Sequence, residues 1–353
     1  MYRRSITRAA ALAVALGVVG LPAHARAQAT TPRQARAYHV VKEIPAGGEG
    51  GWDYLIVDTA AHRLYVSRST HVMVVDTDRD SVIADIPDTP GVHGIALAPS
   101  LGKGFTSNGR DSTVTVFDLK TFAPTARVKV TGRNPDAIMY EPVSGRVFTF
   151  NGGSASATAI DAKTNTIVGT VDIGGKPEFA RSDAAGRVYV NNEDKSEIVV
   201  FDAKTLNVLA HWPLAPCEEP SGLAMDRAGK RLFSGCSNRM IAVVDMTNGK
   251  VVTTLPIGGG VDGNAFDSVT RLAFSSNGEG TLSVYHEDDP NHFSLVGNVP
   301  TRRGARTMAL DDRTHKVYTV SAQFGPPPAP TADRPRPRPP MIPGSFVILV
   351  LSR

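Results

Sequence analysis

The sequence is poor in cysteine and lacks both a membrane-spanning apolar run and the usual cofactor motifs. It has two cysteines in 353 residues. Its longest apolar run, Ala9 to Ala23, has about fifteen residues, fewer than the roughly 20 that a transmembrane helix needs. It contains no C-x-x-C-H, H-E-x-x-H, G-x-S-x-G or P-loop motif. The missing haem motif argues against a redox partner, and the missing hydrolase motifs leave no recognisable catalytic signature.

The first 27 residues have the composition of a secretory signal peptide. Three arginines, Arg3, Arg4 and Arg8, precede the apolar run, and Ala25-Arg26-Ala27 fits a cleavage site before Gln28. We therefore predict a signal peptide over 1–27, a short linker over 28–37, and a periplasmic or secreted protein. No membrane span is expected after cleavage.

Removal of this leader leaves no excess of positive charge. The leader holds four of the 38 Lys and Arg residues and none of the 34 Asp and Glu residues, so the remaining chain has equal numbers of each sign. Affinity for phosphate backbones requires a surplus of Lys and Arg on one face. We therefore expect neither nucleic acid nor an anionic membrane surface as a partner.

A repeated quartet is the main structural signal. It reads YVSR at 65, FTSN at 105, FTFN at 148, YVNN at 189, FSGC at 233, FSSN at 274 and YTVS at 318. Further along the first five units, a motif such as VVD or VFD ends at Asp76, Asp118, Asp161, Asp202 and Asp245. Four short strand-like runs and turn residues fill each unit of about forty-two residues, which is typical of WD40-like propeller blades.

The last unit predicts how the ring closes. It lacks a fourth strand, and the segment 39–48, HVVKEIPAGG, matches the fourth strand of another unit. We predict an all-β, seven-bladed β-propeller of four-stranded antiparallel blades over residues 38–353, in which segment 39–44 pairs with 346–351. Such closure removes exposed strand edges.

The quartets YVNN and FTSN resemble the repeats of the YVTN-repeat β-propeller family, which includes YncE-like exported bacterial proteins. The resemblance covers nearly all of residues 38–353. It implies a propeller, export, and a role in binding or scaffolding without a defining catalytic motif. Three units depart from asparagine at the fourth position, with Arg68, Cys236 and Ser321. The asparagines Asn108, Asn151, Asn192 and Asn277 are expected in turns, where Asn tolerates unusual φ.

Both cysteines lie in one predicted blade. A hairpin that turns at Asp226–Gly229 brings Cys236 opposite residues 219–221, close to Cys217. Thiols outside the cytoplasm tend to pair, so we predict a Cys217–Cys236 disulfide.

Ionisable residues recur at the start of the first strand of each unit. The aligned positions are Asp53, His93, Asp136, Glu178, Ser221, Asp262 and Arg306. In a propeller they ring the upper mouth of the central channel, with Trp52 expected nearby. One interpretation is a site for a polar or cationic ligand, or a divalent cation at Asp53, Asp136, Glu178 and Asp262. The other is that these residues cap strands and orient connectors.

The functional prediction is an exported, monomeric binding scaffold that takes a small molecule or protein on its upper face. The alternative is a lactonase-like hydrolase that uses the carboxylates and His93. No cofactor is expected apart from the divalent cation. A Pro-rich insertion over 325–344 in the seventh unit either covers the mouth, offers a partner segment, or is solvated.

Overall fold

The protein is a seven-bladed β-propeller in the computed structural model, which describes Met1, residues 37–331, residue 337 and residues 339–353. The predicted signal peptide and most of the predicted linker lie outside the described residues. Each blade is a four-stranded antiparallel sheet, and the first strands of neighbouring blades contact each other around the ring. The predicted fold class is therefore confirmed.

The strands follow the chain from blade to blade. The first strand of the described residues is β1 (His39–Pro45), and blade 1 holds β2 (Leu55–Asp58), β3 (Arg63–Ser67), β4 (Val72–Asp76) and β5 (Ser81–Ile86). Blade 2 holds β6 (Val92–Ala98), β7 (Lys103–Asn108), β8 (Thr113–Asp118) and β9 (Pro124–Lys129). Blade 3 holds β10 (Pro135–Glu141), β11 (Arg146–Asn151), β12 (Ser156–Asp161) and β13 (Thr166–Asp172). Short 3₁₀ turns lie at Pro99–Leu101 and Glu193–Lys195.

The remaining blades repeat the pattern. Blade 4 holds β14 (Pro177–Ser182), β15 (Arg187–Asn192), β16 (Glu197–Asp202) and β17 (Val208–Pro213). Blade 5 holds β18 (Pro220–Asp226), β19 (Arg231–Cys236), β20 (Met240–Asp245) and β21 (Val251–Pro256). Blade 6 holds β22 (Val261–Asp267), β23 (Leu272–Asn277), β24 (Thr281–Asp289) and β25 (His292–Pro300). Blade 7 holds β26 (Met308–Asp311), β27 (Lys316–Ser321) and β28 (Val347–Ser352), completed by β1.

Strand β1 closes the ring as the sequence predicts. It pairs antiparallel with β28, from His39 opposite Ser352 to Pro45 opposite Val347. Ile44 of β1 is buried in an apolar cluster that includes Ile348 of blade 7 and Leu64 of blade 1. The core therefore lies between neighbouring blades, and β1 supplies part of the seam between the last blade and the first.

The recurrent aspartates close the turn between the third and fourth strands. One carboxylate oxygen of Asp118 accepts the backbone N–H groups of Lys120 at 2.9 Å and Thr121 at 2.8 Å. Asp161 and Asp202 make the same pair of bonds. These side-chain bonds replace a backbone turn contact, which is why Asp suits this position. Because the same bonds favour the ionised form, they lower the pKa of Asp118.

The reason predicted for the repeated asparagines is wrong. Asn108 ends β7, and the positive φ of that turn falls on Ser112. Asn108 is fully buried, and its amide donates to the hydroxyls of Thr113 and Thr115 at 3.0 and 2.9 Å. The asparagine therefore fastens the second strand to the third through its side chain.

Three blades have another residue in place of this asparagine. In each of them the replacing side chain anchors the connector that enters its own blade. The buried guanidinium of Arg68 donates to the carbonyls of residues 47, 49 and 50 and stacks on Phe346, 3.6 Å from the ring centre. The Ser321 hydroxyl donates to the carbonyl of Arg303 at 2.6 Å. Cys236 forms the predicted disulfide with Cys217, with Cα atoms 5.5 Å apart. The disulfide prediction is confirmed.

The Pro-rich insertion leaves blade 7 through a short paired base. Phe324 and Met341 form an isolated antiparallel bridge, and the N–H of Gly325 donates to the carbonyl of Pro340 at 2.9 Å. Residues 332–336 and 338 lie outside the described residues. Among the residues that are described, no helix is long and apolar enough to cross a membrane.

Candidate functional site

The seven aligned positions lie at the start of the innermost strand of each blade. His93, Asp136, Glu178, Ser221 and Asp262 are the second residues of β6, β10, β14, β18 and β22. Asp53 and Arg306 lie two residues before β2 and β26. Because innermost strands contact one another around the ring, these side chains meet at one end of the channel. We call this set of seven residues the upper ring.

The quartet residues hold the backbone of the upper ring in place across the blade boundaries. Ser107, third in its quartet, donates its hydroxyl to the carbonyl of Asp136 in the next blade. The Asn191 amide donates to the carbonyl of Ser221 at 2.7 Å. Ser276 donates in the same way to the carbonyl of Arg306. The repeat therefore positions the upper ring as well as forming the strands.

Three residues from blades 1 to 3 form the tightest group in the upper ring. His93 Nδ1 lies 2.7 Å from a carboxylate oxygen of Asp53 and 3.7 Å from one of Asp136. One potential ligand atom from each lies within 4.8 Å of the others. The other nitrogen of His93 faces Gly109, where a Cβ atom would lie only 2.8 Å from Nε2. The chain therefore leaves room for this imidazole by placing glycine beside it.

The other carboxylates of the upper ring are neutralised by cations. Arg306 Nε donates to Asp262 at 2.6 Å, and the Ser221 hydroxyl donates to the other oxygen of Asp262 at 2.6 Å. The Arg306 guanidinium also reaches Asp53 at 3.5 Å. Lys176 donates to Glu178 at 2.6 Å and also to Glu193. Within the described residues, Asp136 is the ring carboxylate without an ion pair to Lys or Arg.

Burial and mutual repulsion shift the proton affinities of the group. Burial and the charge of Asp53 raise the pKa of Asp136 to about 7, against the opposing effect of His93. Burial alone would lower the pKa of His93, but the hydrogen bond that His93 donates to Asp53 and the charges of Asp136 and Asp53 outweigh it and raise the pKa. Burial and the charge of Asp136 raise the pKa of Glu178 despite Lys176. A cation bound at the mouth would therefore compete with protons for Asp136 and His93.

Trp52 lies beside this site and contacts the base of the insertion. Its ring centre is 5.9 Å from that of Phe324 and 5.5 Å from that of Phe346. Its indole N–H is buried without a hydrogen-bond partner among the described residues. Trp52 thus links the connector that leads to Asp53 with the root of the Pro-rich insertion.

Sequence alignment of the repeats missed three polar residues near the channel. Lys176 precedes Glu178 by two positions, Tyr54 follows Asp53, and Arg181 lies near the end of β14. In a strand, residues two apart share a face, and that periodicity places Arg181 on the same face as Phe179. The strand periodicity cannot predict the position of Lys176, because Lys176 lies before β14 begins.

Comparisons with known proteins show the fold alone. No protein-family model matches the chain, and no curated protein matches it. Among solved structures, the hydrazine synthase of Kuenenia stuttgartiensis is similar at a TM-score of 0.69 and 14% identity, covering 78% of this chain and 93% of that one. The WD40 repeats of RRP9 are similar at a TM-score of 0.73 and 8% identity, covering 90% and 98%. Both likenesses support the propeller assignment.

We expect Asp53 to stabilise the protonated form of His93 and so to raise the pKa of its ring. Proton NMR titration of the His93 ring should give a pKa above the ordinary 6.5 in the wild type. Asp53→Asn should lower that pKa, because it removes the charged acceptor of the Nδ1–H hydrogen bond. Since His93 and Asp136 both bind protons more tightly in the folded state, their contribution to the free energy of unfolding should fall as pH rises through about 7.

The matched control is Asp78→Asn, which breaks an equivalent pair because Asp78 lies 2.6 Å from His62 outside the upper ring. This variant should leave the His93 titration unchanged. A His93 pKa that is the same in the wild type and in Asp53→Asn would contradict the described geometry.

Proposed function

We propose that this protein is an exported β-propeller of the YVTN-repeat type that binds a divalent cation, or the cationic group of a small ligand, at its upper mouth. The observation that carries this proposal is the convergence of Asp53, His93 and Asp136 from three consecutive blades, with potential ligand atoms within 4.8 Å of one another. Imidazole nitrogen with carboxylate oxygens is a common ligand set for Zn²⁺ and related divalent ions.

The charge distribution favours cation binding at Asp53, His93 and Asp136 over binding at Glu178 and Asp262. Asp262 is already neutralised by Arg306, and Glu178 by Lys176. Asp136 has His93 as its cationic neighbour, at 3.7 Å, and burial favours its protonated form. A bound cation would supply the missing positive charge and release these protons, so its affinity should rise with pH.

Zinc titration into metal-free protein, followed by calorimetry, tests the proposal. We expect one ion to bind to the wild type, and Asp136→Asn to weaken binding by at least about tenfold, because it removes a direct ligand. Affinity for the wild type should be higher at pH 8 than at pH 6.

The control for this titration is again Asp78→Asn, because Asp78 and His62 form an Asp–His pair without the second carboxylate that Asp136 supplies in the upper ring. It should bind zinc as the wild type does. An unchanged affinity in Asp136→Asn, or an equal loss in both variants, would count against the mouth as the binding site.

Export is supported by the leader and by the disulfide. A Cys217–Cys236 bridge is a feature of proteins that fold in oxidising compartments. We expect N-terminal sequencing of the protein from the native cell envelope to begin at Gln28, and thiol labelling under denaturing conditions to find no free cysteine. A chain recovered with Met1 and two free thiols would contradict export.

The remaining functional predictions stay predictions. A protein partner on the upper face is compatible with the propeller fold, which elsewhere carries both catalytic and binding sites. Hydrolysis would use the Asp53–His93 pair as a base, and no contact of the described residues places a nucleophile against His93 Nε2. Binding is therefore the function that the site supports best.

A further inference from the structure

A second polar site lies inside the channel, apart from the upper ring. The inner strands enclose a cavity of about 450 Å³ with apolar side chains such as Ile95, Met139, Phe266 and Leu310. The lining also includes Thr59, Pro142, Arg227 and Asp312, each of which directly follows an innermost strand. The cavity therefore extends to the end of the channel opposite the upper ring. None of the seven upper-ring residues lines it.

Arg181 of β14 places a guanidinium on this cavity without a carboxylate partner. Its Nε donates to the carbonyl of Leu223 at 2.9 Å, and its guanidinium carbon lies 4.5 Å from the centre of the Phe179 ring. A guanidinium has five N–H donors, and the other four have no acceptor among the described residues. Arg181 lines the cavity. No Asp or Glu of the described residues forms an ion pair with it.

The surroundings make this charge costly for the protein alone. Burial lowers the pKa of Arg181 to about 10, and the like charge of Arg227 acts in the same direction. Arg227 itself is bonded to the carbonyl of Ser182 at 2.8 Å. An uncompensated charge inside a protein is strongly unfavourable unless an opposite charge meets it. Arg181 is only partly buried, and without a carboxylate partner among the described residues its charge favours an anion in the cavity over a cation.

Tyr54 adds a neutral hydrogen-bond donor to the same cavity. Its ring packs on Phe179 with centres 5.2 Å apart, and its hydroxyl makes no hydrogen bond with the described residues. Burial, followed by the charges of Asp136 and Glu178, raises the pKa of Tyr54, so the hydroxyl keeps its proton. Tyr54 and Arg181 both pack against the Phe179 ring. A few polar groups on an apolar lining are typical of small-molecule sites.

We propose that this cavity binds a small organic carboxylate, with the carboxylate on Arg181 and Tyr54 and the apolar body against Ile95, Met139 and Leu310. The planar fork of a guanidinium matches the two oxygens of a carboxylate. The apolar lining favours an organic acid over a hydrated inorganic ion. This site is independent of the cation site at the upper mouth, since it uses different residues and the opposite charge.

Calorimetric titration with benzoate, benzamide and inorganic phosphate tests the proposal. The wild type should bind benzoate with a Kd of about 1 mM or tighter. Benzamide, which has the same shape without the charge, and phosphate, which has charge without an apolar body, should each bind at least about tenfold more weakly. Phosphate binding as tight as that of benzoate would overturn the organic carboxylate assignment.

Substitution of Arg181 locates the bound acid. Arg181→Met keeps an unbranched side chain in the cavity and should weaken benzoate binding by at least about tenfold, the loss expected for a charged hydrogen bond. Arg181→Lys should recover part of the affinity. Arg79→Met is the matched control, because the Arg79 side chain is 78% exposed and lies outside the cavity lining; it should bind benzoate as the wild type does.

A measurement on the unmodified protein does not depend on the folding of any variant. The Arg181 Nε–H resonance of isotope-labelled wild type should shift on addition of benzoate and saturate with the calorimetric Kd. Benzoate binding that leaves this resonance unmoved, equal affinity in the wild type and Arg181→Met, or no binding of benzoate at millimolar concentration would each overturn the proposal.

Discussion

The pairing of β1 with β28 is the constraint on which the rest of the structure depends. It completes blade 7 with a strand from the beginning of the chain and buries Ile44 in the seam with blade 1. Across the same seam Arg306 reaches Asp53 at 3.5 Å. The upper ring therefore consists of residues up to 253 positions apart in sequence, and it exists only because the circle is closed.

The upper ring and the cavity present different polar side chains to the channel. Carboxylates and His93 gather where the innermost strands begin, and burial there favours the protonated form of Asp136. Further along, Arg181 lies on an apolar cavity with no carboxylate partner among the described residues. Tyr54 directly follows Asp53 of the upper ring and packs on Phe179, which Arg181 also contacts. We therefore propose two recognition chemistries in one channel.

Sequence periodicity predicted the fold because each unit is built from the same local rules. The aspartate that ends the third strand accepts two backbone N–H groups of the following turn, so its spacing marks the blades. Alignment of the units also predicted which residues form the upper ring. The disulfide followed from hairpin register, which pairs Pro220 with Cys236 and leaves Cys217 three residues away.

Pairings between side chains were beyond sequence reasoning. Nothing in the spacing of the repeats indicates that Lys176 neutralises Glu178 while Asp136 has no such partner. Arg181 has the sequence position of an ordinary strand residue, and its significance comes from the cavity that it lines and from its lack of an ion pair with any carboxylate of the described residues. The asparagines were predicted in turns because of φ, but they are the last residues of their strands and are explained by side-chain hydrogen bonds.

Native-state hydrogen exchange of the β1 amides tests the central claim most directly. If β1 is an integral strand of blade 7, its hydrogen-bonded amides should exchange only through global unfolding, at the same free energy of opening as those of β28. The central claim would be contradicted if residues 39–45 exchanged through local opening, many times faster than β28, while the other blades stayed protected.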